Sequence, residues 1–398
     1  MFRPTVARKR PFLLICCLSL VAAVSCRKDD GDPAPSSGGG PSTNATAPVL
    51  PSTPYDYASV ELPGYIASYM TDHPNVDATP DDNPITNAGA TLGRVLFYDK
   101  QLSVDNSTAC ASCHKQALAF TDGLALSEGH SGEATRRNAM MPVNLRYFPA
   151  QKMFWDLRAA TLEEQALMPI TNSVEMGMPS LDALVNKLNT LNYYPPLFQA
   201  AFGDPTITSE RTARALAQFL RSITSFRSRY DAGVGDNFAG FTAQELQGKH
   251  LVSQAFCTEC HSDLASVSAS LPPTFLPVEN YGQNQGFGSN NGLDQQYLDN
   301  GIGEITGQPQ DQGTFKIPSL RNIELTGPYM HDGRFATLEQ VVQHYASGVQ
   351  SHPNRGIQIP DGGFGFTADQ QAAIIAFLKT LTDNQLLTEA KWSDPFPH

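Results

Sequence analysis

Two copies of a Cys-x-x-Cys-His motif constrain the fold of this chain more than any other feature. They occupy residues 110–114 and 257–261. The cysteines are Cys110, Cys113, Cys257 and Cys260, and the histidines are His114 and His261. Two thiols one helical turn apart can bond to both vinyl groups of one haem, and the adjacent imidazole can then ligate the iron. The sequence therefore predicts two covalently bound c-type haems.

Paired cysteines also have uses other than haem attachment. Four cysteines in an exported chain could form two disulfides. A Cys-x-x-Cys pair also occurs in zinc sites and in thioredoxin-like redox centres. The histidine that directly follows each pair, in both copies, favours haem attachment over these readings.

Helical patterns around the two motifs predict a mainly α fold with two cytochrome c-like haem lobes and long loops. Apolar residues recur at helical spacing over residues 88–97, ahead of the first motif. Thr242 and Glu245 form a capping-box pattern ahead of the second. We expect an N-terminal haem domain over residues 55–236 and a C-terminal haem domain over residues 237–398.

The N-terminus has the pattern of an export signal. A basic start at residues 8–10 precedes an apolar run at residues 12–24, which ends in small residues before Cys26. This pattern predicts a lipoprotein signal peptide over residues 1–25 with lipidation of Cys26, although an ordinary signal peptide is an alternative. Residues 26–54 are polar and predict a disordered tether. We expect a lipid-anchored protein in the periplasm or at the outer-membrane surface.

The charge balance limits the possible partners. The chain has 27 Lys and Arg against 39 Asp and Glu, a formal net charge of -12. Nucleic-acid binding needs clustered basic residues, so no nucleic-acid partner is expected. Contact with a membrane is expected through the lipid anchor alone.

Several ordered motifs between and after the haem motifs resemble bacterial dihaem cytochrome c peroxidases and their relative MauG. The resemblance covers roughly residues 56–385 and rests on motifs at matching spacing. These motifs lie at residues 136–138, 154–159, 162–166, 169–170, 174–176, 320–322 and 325–333.

The resemblance implies a division of labour between the two haems. The haem at Cys110 would reduce hydrogen peroxide to water, and the haem at Cys257 would receive electrons from a cytochrome c or a similar soluble or membrane donor protein. Two alternatives remain open. One is a MauG-like oxidase that modifies a partner protein, and the other is a dihaem electron carrier without catalysis.

The resemblance also implies catalytic residues. Glu175 matches the distal acid/base, which moves a proton between the two peroxide oxygens. Gln165 matches a pocket residue that orients a distal water or ligand, and Pro169 one that shapes the pocket. Trp155 matches the tryptophan between the haems. The alternatives are a surface carboxylate for Glu175, a helix-surface amide for Gln165 and a core role for Trp155.

A calcium site between the haems is implied by three further matches. These residues are Asn138, Thr326 and Pro328. Side-chain and main-chain oxygens suit calcium, which would hold the two lobes in a fixed relation. The alternative is an ordinary turn built from these residues.

Two positions distinguish branches of the family. His130 matches a histidine that caps the resting peroxidatic iron in the peroxidase branch, although a glycine-rich loop also tolerates an incidental histidine. Tyr345 matches a position with methionine in the peroxidases and tyrosine in MauG, where it would ligate the second iron. A phenolate favours oxidised iron, whereas a thioether raises the potential. Tyr345 could instead be a core aromatic, and the neighbouring His344 is a weaker candidate ligand.

Overall fold

The computed structural model describes residues 46–72, 76–148, 152–261 and 288–397. The signal peptide, Cys26 and the first part of the expected tether lie outside these residues. The described end of the tether contains neither helix nor strand. Among the described helices, none combines the length and the apolar character that a bilayer crossing requires.

The described residues form a mainly helical fold with long loops, which confirms the expected fold class. The helices are α1 Gly64–Asp72, α2 Asn87–Tyr98, α3 Cys110–Cys113, α4 Leu162–Thr171, α5 Leu181–Leu188, α6 Tyr194–Phe202, α7 Ser209–Ser222, α8 Arg229–Gly235, α9 Ala243–Gln254, α10 Cys257–His261, α11 Ile302–Thr306, α12 Leu338–Gln343 and α13 Ala368–Lys379. The two strands of this part of the chain, β1 Gly288–Ser289 and β2 Phe315–Lys316, pair antiparallel.

The first core is built around helices α2 and α7. Helix α2 begins where the Thr86 hydroxyl accepts a hydrogen bond from the Gly89 amide at 3.0 Å, which satisfies one of the free amides of the first turn. Its apolar residues, such as Leu92 and Leu96, are fully buried against α7 residues such as Phe219. The helix expected over residues 88–97 is thereby confirmed.

The second core repeats this arrangement with helices α9 and α13. The expected capping box is present, with Thr242 and Glu245 each bonding the other's backbone amide. Apolar side chains of both helices, including Leu251 and Phe377, share one cluster. Each Cys-x-x-Cys-His motif therefore follows a helix that packs against a second helix from a distant part of the chain.

A glycine lets each helix pair approach closely. A β-carbon on Gly93 of α2 would lie 2.0 Å from the Ala215 carbonyl oxygen of α7. A β-carbon on Gly248 of α9 would lie 1.9 Å from the Ala373 carbonyl oxygen of α13. Such distances exclude any side chain, so the two helix backbones touch at these positions.

The C-terminal segment returns to the first core. Tyr98 donates its hydroxyl to the Trp392 carbonyl at 2.7 Å, and the Arg94 guanidinium donates to the Ser393 carbonyl at 2.7 Å. Trp392 is fully buried in the first cluster. Part of the segment 237–398 therefore packs with the N-terminal helices, and the domain boundary near residue 236 stays a prediction.

A buried ion pair joins the loop after β2 to helix α8. Arg321, which is fully buried, donates to both carboxylate oxygens of Asp231 at 2.9 and 3.0 Å. Arg321 also donates to the Tyr65 hydroxyl at 3.1 Å. This two-point pairing compensates both charges and holds the loop after β2 against helix α8.

Replacing Gly248 by alanine should destabilise the fold, because the new methyl group would collide with the Ala373 carbonyl. We expect a loss of roughly 1–3 kcal/mol in the free energy of unfolding, typical of overpacking. Chemical denaturation followed by circular dichroism would measure it. The matched control is Gly64→Ala in α1, where nothing lies within 4 Å of the added carbon. Equal stability of the two variants would contradict the close approach of α9 and α13.

Candidate functional site

The first haem motif lines a cavity of about 700 Å³, hereafter the first cavity. Cys110 and Cys113 form the short helix α3, and His114 follows directly. The His114 Nδ1 atom donates to the Phe120 carbonyl at 2.9 Å. This hydrogen bond fixes the tautomer, so that Nε2 keeps its lone pair for a metal. The volume lies within the range of roughly 300–1,000 Å³ that small-molecule and cofactor sites occupy.

The second motif lines a smaller cavity of about 250 Å³, hereafter the second cavity. Cys257, Cys260 and His261 belong to helix α10. The His261 Nδ1 atom donates to the Pro318 carbonyl at 2.8 Å, which repeats the arrangement at His114. Both histidines are thus oriented by a backbone carbonyl, as expected for ligands of haem iron.

The protonation states in both motifs suit covalent haem. Burial raises the pKa of the Cys110 and Cys257 thiols to about 12, so both sulfurs are neutral. Burial also lowers the pKa of His114 and His261, which favours the neutral imidazole. A thioether sulfur carries no charge, so its burial among apolar residues needs no compensating charge. The four motif cysteines carry no disulfide, so the residues present fit two c-type haems.

Helix α4 supplies part of the wall of the first cavity. Gln165 and Pro169, four residues apart, lie on one face of this helix and both line the cavity. The helix begins at the Thr161 cap, whose hydroxyl accepts from the Glu164 amide at 3.1 Å. Proline has no N–H for the Gln165 carbonyl, so this helical hydrogen bond is missing at the cavity.

Glu175 reaches the same cavity from the loop after α4. Asn172 shapes this loop, because its side-chain oxygen accepts from the Val174 amide at 2.9 Å and from the Glu175 amide at 3.2 Å. Burial raises the pKa of the Glu175 carboxyl, and the positive charge of Arg158 partly opposes this effect. A raised pKa strengthens the proton affinity of this carboxyl, which is the direction that suits an acid/base group.

Trp155 lies in a wall shared by the two cavities. The indole Nε1 donates to the Asn138 carbonyl at 2.9 Å, and the Trp155 carbonyl accepts from the Lys316 amide at 2.8 Å. All three residues line both cavities. The tryptophan expected between the haems is therefore adjacent to both motif pockets.

Tyr345 lines the second cavity together with the second motif, whereas His344 does not. The two residues begin a π-helical turn, His344–Gly348, which follows α12. The His344 Nε2 atom lies 3.0 Å from the Asn291 carbonyl. Burial raises the pKa of the Tyr345 phenol well above its usual value. The turn thus directs one ring into the cavity and the other away from it.

The three residues expected to bind calcium also line the second cavity. These residues are Asn138, Thr326 and Pro328. The Asn138 side-chain amide donates to the Leu124 carbonyl at 2.9 Å, which orients its oxygen away from that loop. No group of three or more His, Cys, Asp or Glu residues suited to a metal occurs in the described part of the chain. A calcium site built from neutral oxygens stays a prediction.

His130 lies outside the lining of the first cavity. Its Nε2 atom is 3.0 Å from the Ser173 carbonyl, and its Nδ1 atom is 3.4 Å from an Asp105 carboxylate oxygen. Its backbone amide donates to the Glu175 carbonyl at 2.9 Å. In this arrangement the ring supports the Glu175 loop, and ligation of iron by His130 stays a prediction.

Two further residues, Arg158 and Lys316, line the first cavity, and no role was expected for either of them. Arg158 stacks on the Phe154 ring at 3.6 Å and bonds Asp156 at 3.0 Å. Arg158 belongs to the motif at residues 154–159, so the sequence could have indicated it. Its proximity to Glu175, however, depends on how two loops meet. No sequence pattern indicates Lys316.

Comparison with known families gives one clear match. Residues 87–237 match the family model described as di-haem cytochrome c peroxidase. The MauG protein of Methylophilus methylotrophus is 31% identical over 80% of this chain and 89% of its own length. The cytochrome c551 peroxidase of Nitrosomonas europaea is 34% identical over 74% of this chain and 80% of its own length.

Two solved structures, a MauG-like protein and a diheme peroxidase, are also similar to this chain. A MauG-like protein associated with microbial copper homeostasis superposes with a TM-score of 0.68 at 34% identity, covering 79% of this chain and 95% of that protein. The diheme peroxidase BthA from Burkholderia thailandensis superposes with a TM-score of 0.61 at 25% identity, covering 79% and 89%.

Replacing His130 by alanine tests its place relative to the iron. The contacts of the ring with Asp105 and Ser173 outside the cavity predict unchanged resting absorption and electron paramagnetic resonance spectra, whereas the family resemblance predicts the loss of an iron ligand. The control is His250→Ala, an exposed histidine of α9. Conversion of one low-spin iron to high spin in the His130 variant alone would instead identify His130 as an axial ligand.

Proposed function

Because the chain belongs to the family of dihaem cytochrome c peroxidases that includes MauG, we propose that it reduces hydrogen peroxide to water in the first cavity. Membership makes the chain an oxidoreductase of the cytochrome c peroxidase type with two c-type haems. The specific reaction with peroxide and a cytochrome c-like donor is our proposal. The observation that carries it is Glu175, whose half-buried carboxyl lines the same cavity as the first haem motif.

The overall reaction consumes two electrons and two protons for each H₂O₂ and releases two waters. The haem iron, held by the first motif, would supply the electron-transfer chemistry at the peroxide. The protein must therefore provide a proton path, exclude competing solvent and deliver electrons one at a time.

Glu175 is proposed to move a proton from one peroxide oxygen to the other. Cleavage of the O–O bond is easier when the departing oxygen leaves as water rather than as hydroxide. The raised pKa of this carboxyl brings its proton affinity closer to neutral pH, where it can accept and release a proton in turn. The Asn172 side-chain oxygen accepts from the Glu175 amide and the His130 amide donates to the Glu175 carbonyl, and these two bonds hold the backbone of Glu175 at the cavity.

Gln165 is proposed to orient peroxide or water beside Glu175. An amide side chain offers one acceptor and two donors, which suits a small ligand with both O–H groups and lone pairs. Pro169 shapes the same wall of the cavity and adds no competing N–H donor. Both residues line the cavity on one face of α4.

Electrons are proposed to enter at the second motif and to reach the first cavity through Trp155. The shared wall supports this route, because the indole borders both cavities. A calcium ion at Asn138, Thr326 and Pro328 would stiffen the same wall, since Asn138 accepts the indole hydrogen bond through its carbonyl. We further propose that lipid on Cys26 anchors the protein outside the cytoplasm, where a cytochrome c-like donor can reach it.

Tyr345 favours a second candidate, a MauG-like oxidase that withdraws electrons from a partner protein. Its ring borders the second cavity together with His261, and an anionic phenol oxygen on iron would lower the reduction potential. A low potential makes that iron a poorer acceptor from cytochrome c and a better store of an oxidising equivalent. Similarity to MauG proteins supports this candidate as well.

Replacing Glu175 by glutamine should slow peroxide turnover by roughly 10²-fold, the usual scale for the loss of acid/base catalysis. The substitution keeps the size of the side chain and removes its proton. Steady-state assays with peroxide and reduced cytochrome c would measure the loss, with haem content unchanged. Glu133→Gln, an exposed glutamate of the neighbouring loop, serves as control. Normal turnover in the Glu175 variant would refute its role.

Replacing Tyr345 by methionine should raise the reduction potential of the second haem, because a thioether favours reduced iron more than a phenolate does. Redox titration would record the shift in the wild type and the variant. Tyr345→Phe keeps the ring but removes the oxygen, and it should also abolish any phenolate signature in the spectrum. Equal potentials in all three proteins would show that Tyr345 is a packing residue.

A further inference from the structure

Lys316 lies in the wall between the two cavities, and its ammonium group has no carboxylate partner within the described ranges. The residue is only 7% exposed. Its Nζ atom lies 4.3 Å from the centre of the Phe148 ring, and the side chain borders both cavities. Its backbone is held by β-pairing with Gly288 and by the bond to the Trp155 carbonyl. A buried ammonium group in such a place is costly unless an anion compensates it.

Two of the three acidic residues that line the first cavity, Asp156 and Glu304, already have partners, and the third, Glu175, makes no contribution to the pKa of Lys316. Asp156 bonds Arg137 at 2.5 Å and Arg158 at 3.0 Å. Glu304 bonds Arg136 at 2.5 and 2.7 Å. Burial alone lowers the pKa of Lys316 to about 8, with no contribution from a neighbouring acid.

Charged side chains are scarce among the described residues that line the second cavity. Among the described residues that line it, Lys316 is the sole member of the Lys, Arg, Asp and Glu group. A c-type haem carries two propionate carboxylates, which need cations or hydrogen-bond donors when buried. The chemistry of the cofactor and the charge of Lys316 are therefore complementary.

We propose that Lys316 binds a propionate carboxylate of the haem that Cys257 and Cys260 hold. This assignment rests on the two-haem content that family membership implies. A positive charge in a low-dielectric wall stabilises the state with one more electron, so Lys316 raises the reduction potential of this haem. It would thus act against Tyr345, whose phenol oxygen would lower the same potential if it ligated this iron.

The test is redox titration of Lys316→Met, a substitution that keeps the length of the side chain and removes its charge. At a fixed applied potential, we expect the ratio of reduced to oxidised second haem to fall about tenfold, equivalent to ~59 mV. Lys316→Arg, which retains the charge, should stay near the wild-type value. Lys249→Met is the matched control, because the Lys249 ammonium also lies over a phenylalanine ring, at 4.5 Å from Phe238, but does not border either cavity.

The other outcomes separate the rival explanations. An unchanged potential of the second haem in Lys316→Met would overturn the assignment. A wild-type potential that varies with chloride concentration, and does so no longer in Lys316→Met, would show an exchangeable anion instead of a propionate. A wild-type protein with fewer than two haems by the pyridine haemochrome assay would contradict the cofactor content itself, which is a different failure.

A second measurement applies if Lys316→Met fails to load its haem. Propionate bending bands in resonance Raman spectra shift between H₂O and D₂O when an N–H group donates to the carboxylate. The wild type and Lys316→Arg should both show such a shift for the second haem. Its absence in both proteins would overturn the proposal without any need for the methionine variant.

Discussion

A hydrogen bond from each motif histidine to a backbone carbonyl is the contact on which both sites depend. Phe120 presents its carbonyl to His114 from a tight turn in which its own φ is +62°, and Pro318 presents its carbonyl to His261. Because Nδ1 is engaged, Nε2 of each ring remains available for iron. The helix pairs behind the motifs, which touch at Gly93 and at Gly248, fix the position of these rings.

The wall between the two cavities links these sites. Asn138, Trp155 and Lys316 are joined through hydrogen bonds to main-chain carbonyls, so the three residues form one continuous wall. In the roles proposed above, the aromatic ring would serve electron transfer, the amide metal binding and the ammonium group charge compensation. Placing all three in one wall ties the proposed electron route to the electrostatics of both haems.

The loop that carries Glu175 shows how a sequence motif can change its apparent meaning once the fold is known. His130 matches the position of a capping ligand, yet in the structure its ring and its amide support this loop. Gly177, at a φ of +68°, makes room for the ring, since a β-carbon there would lie 2.3 Å from Nε2. In this arrangement Nε2 faces the Ser173 carbonyl and Nδ1 faces Asp105, so neither ring nitrogen of His130 is directed into the first cavity.

Local patterns in the sequence were sufficient for the haem motifs, the mainly helical class and the capping box at Thr242, because each depends on residues close together in the chain. The shared cavity wall, the return of Trp392 to the first core and the isolation of Lys316 could not be read in this way. They arise where segments more than a hundred residues apart meet. Charge pairing depends partly on such meetings: Arg137 pairs with Asp299, 162 residues away, as well as with the nearby Asp156, whereas Lys316 has no acidic partner among the described residues. The sequence by itself determined where two haems can be attached, because each motif lies within five consecutive residues, whereas tertiary packing decided which charged side chains border the two cavities.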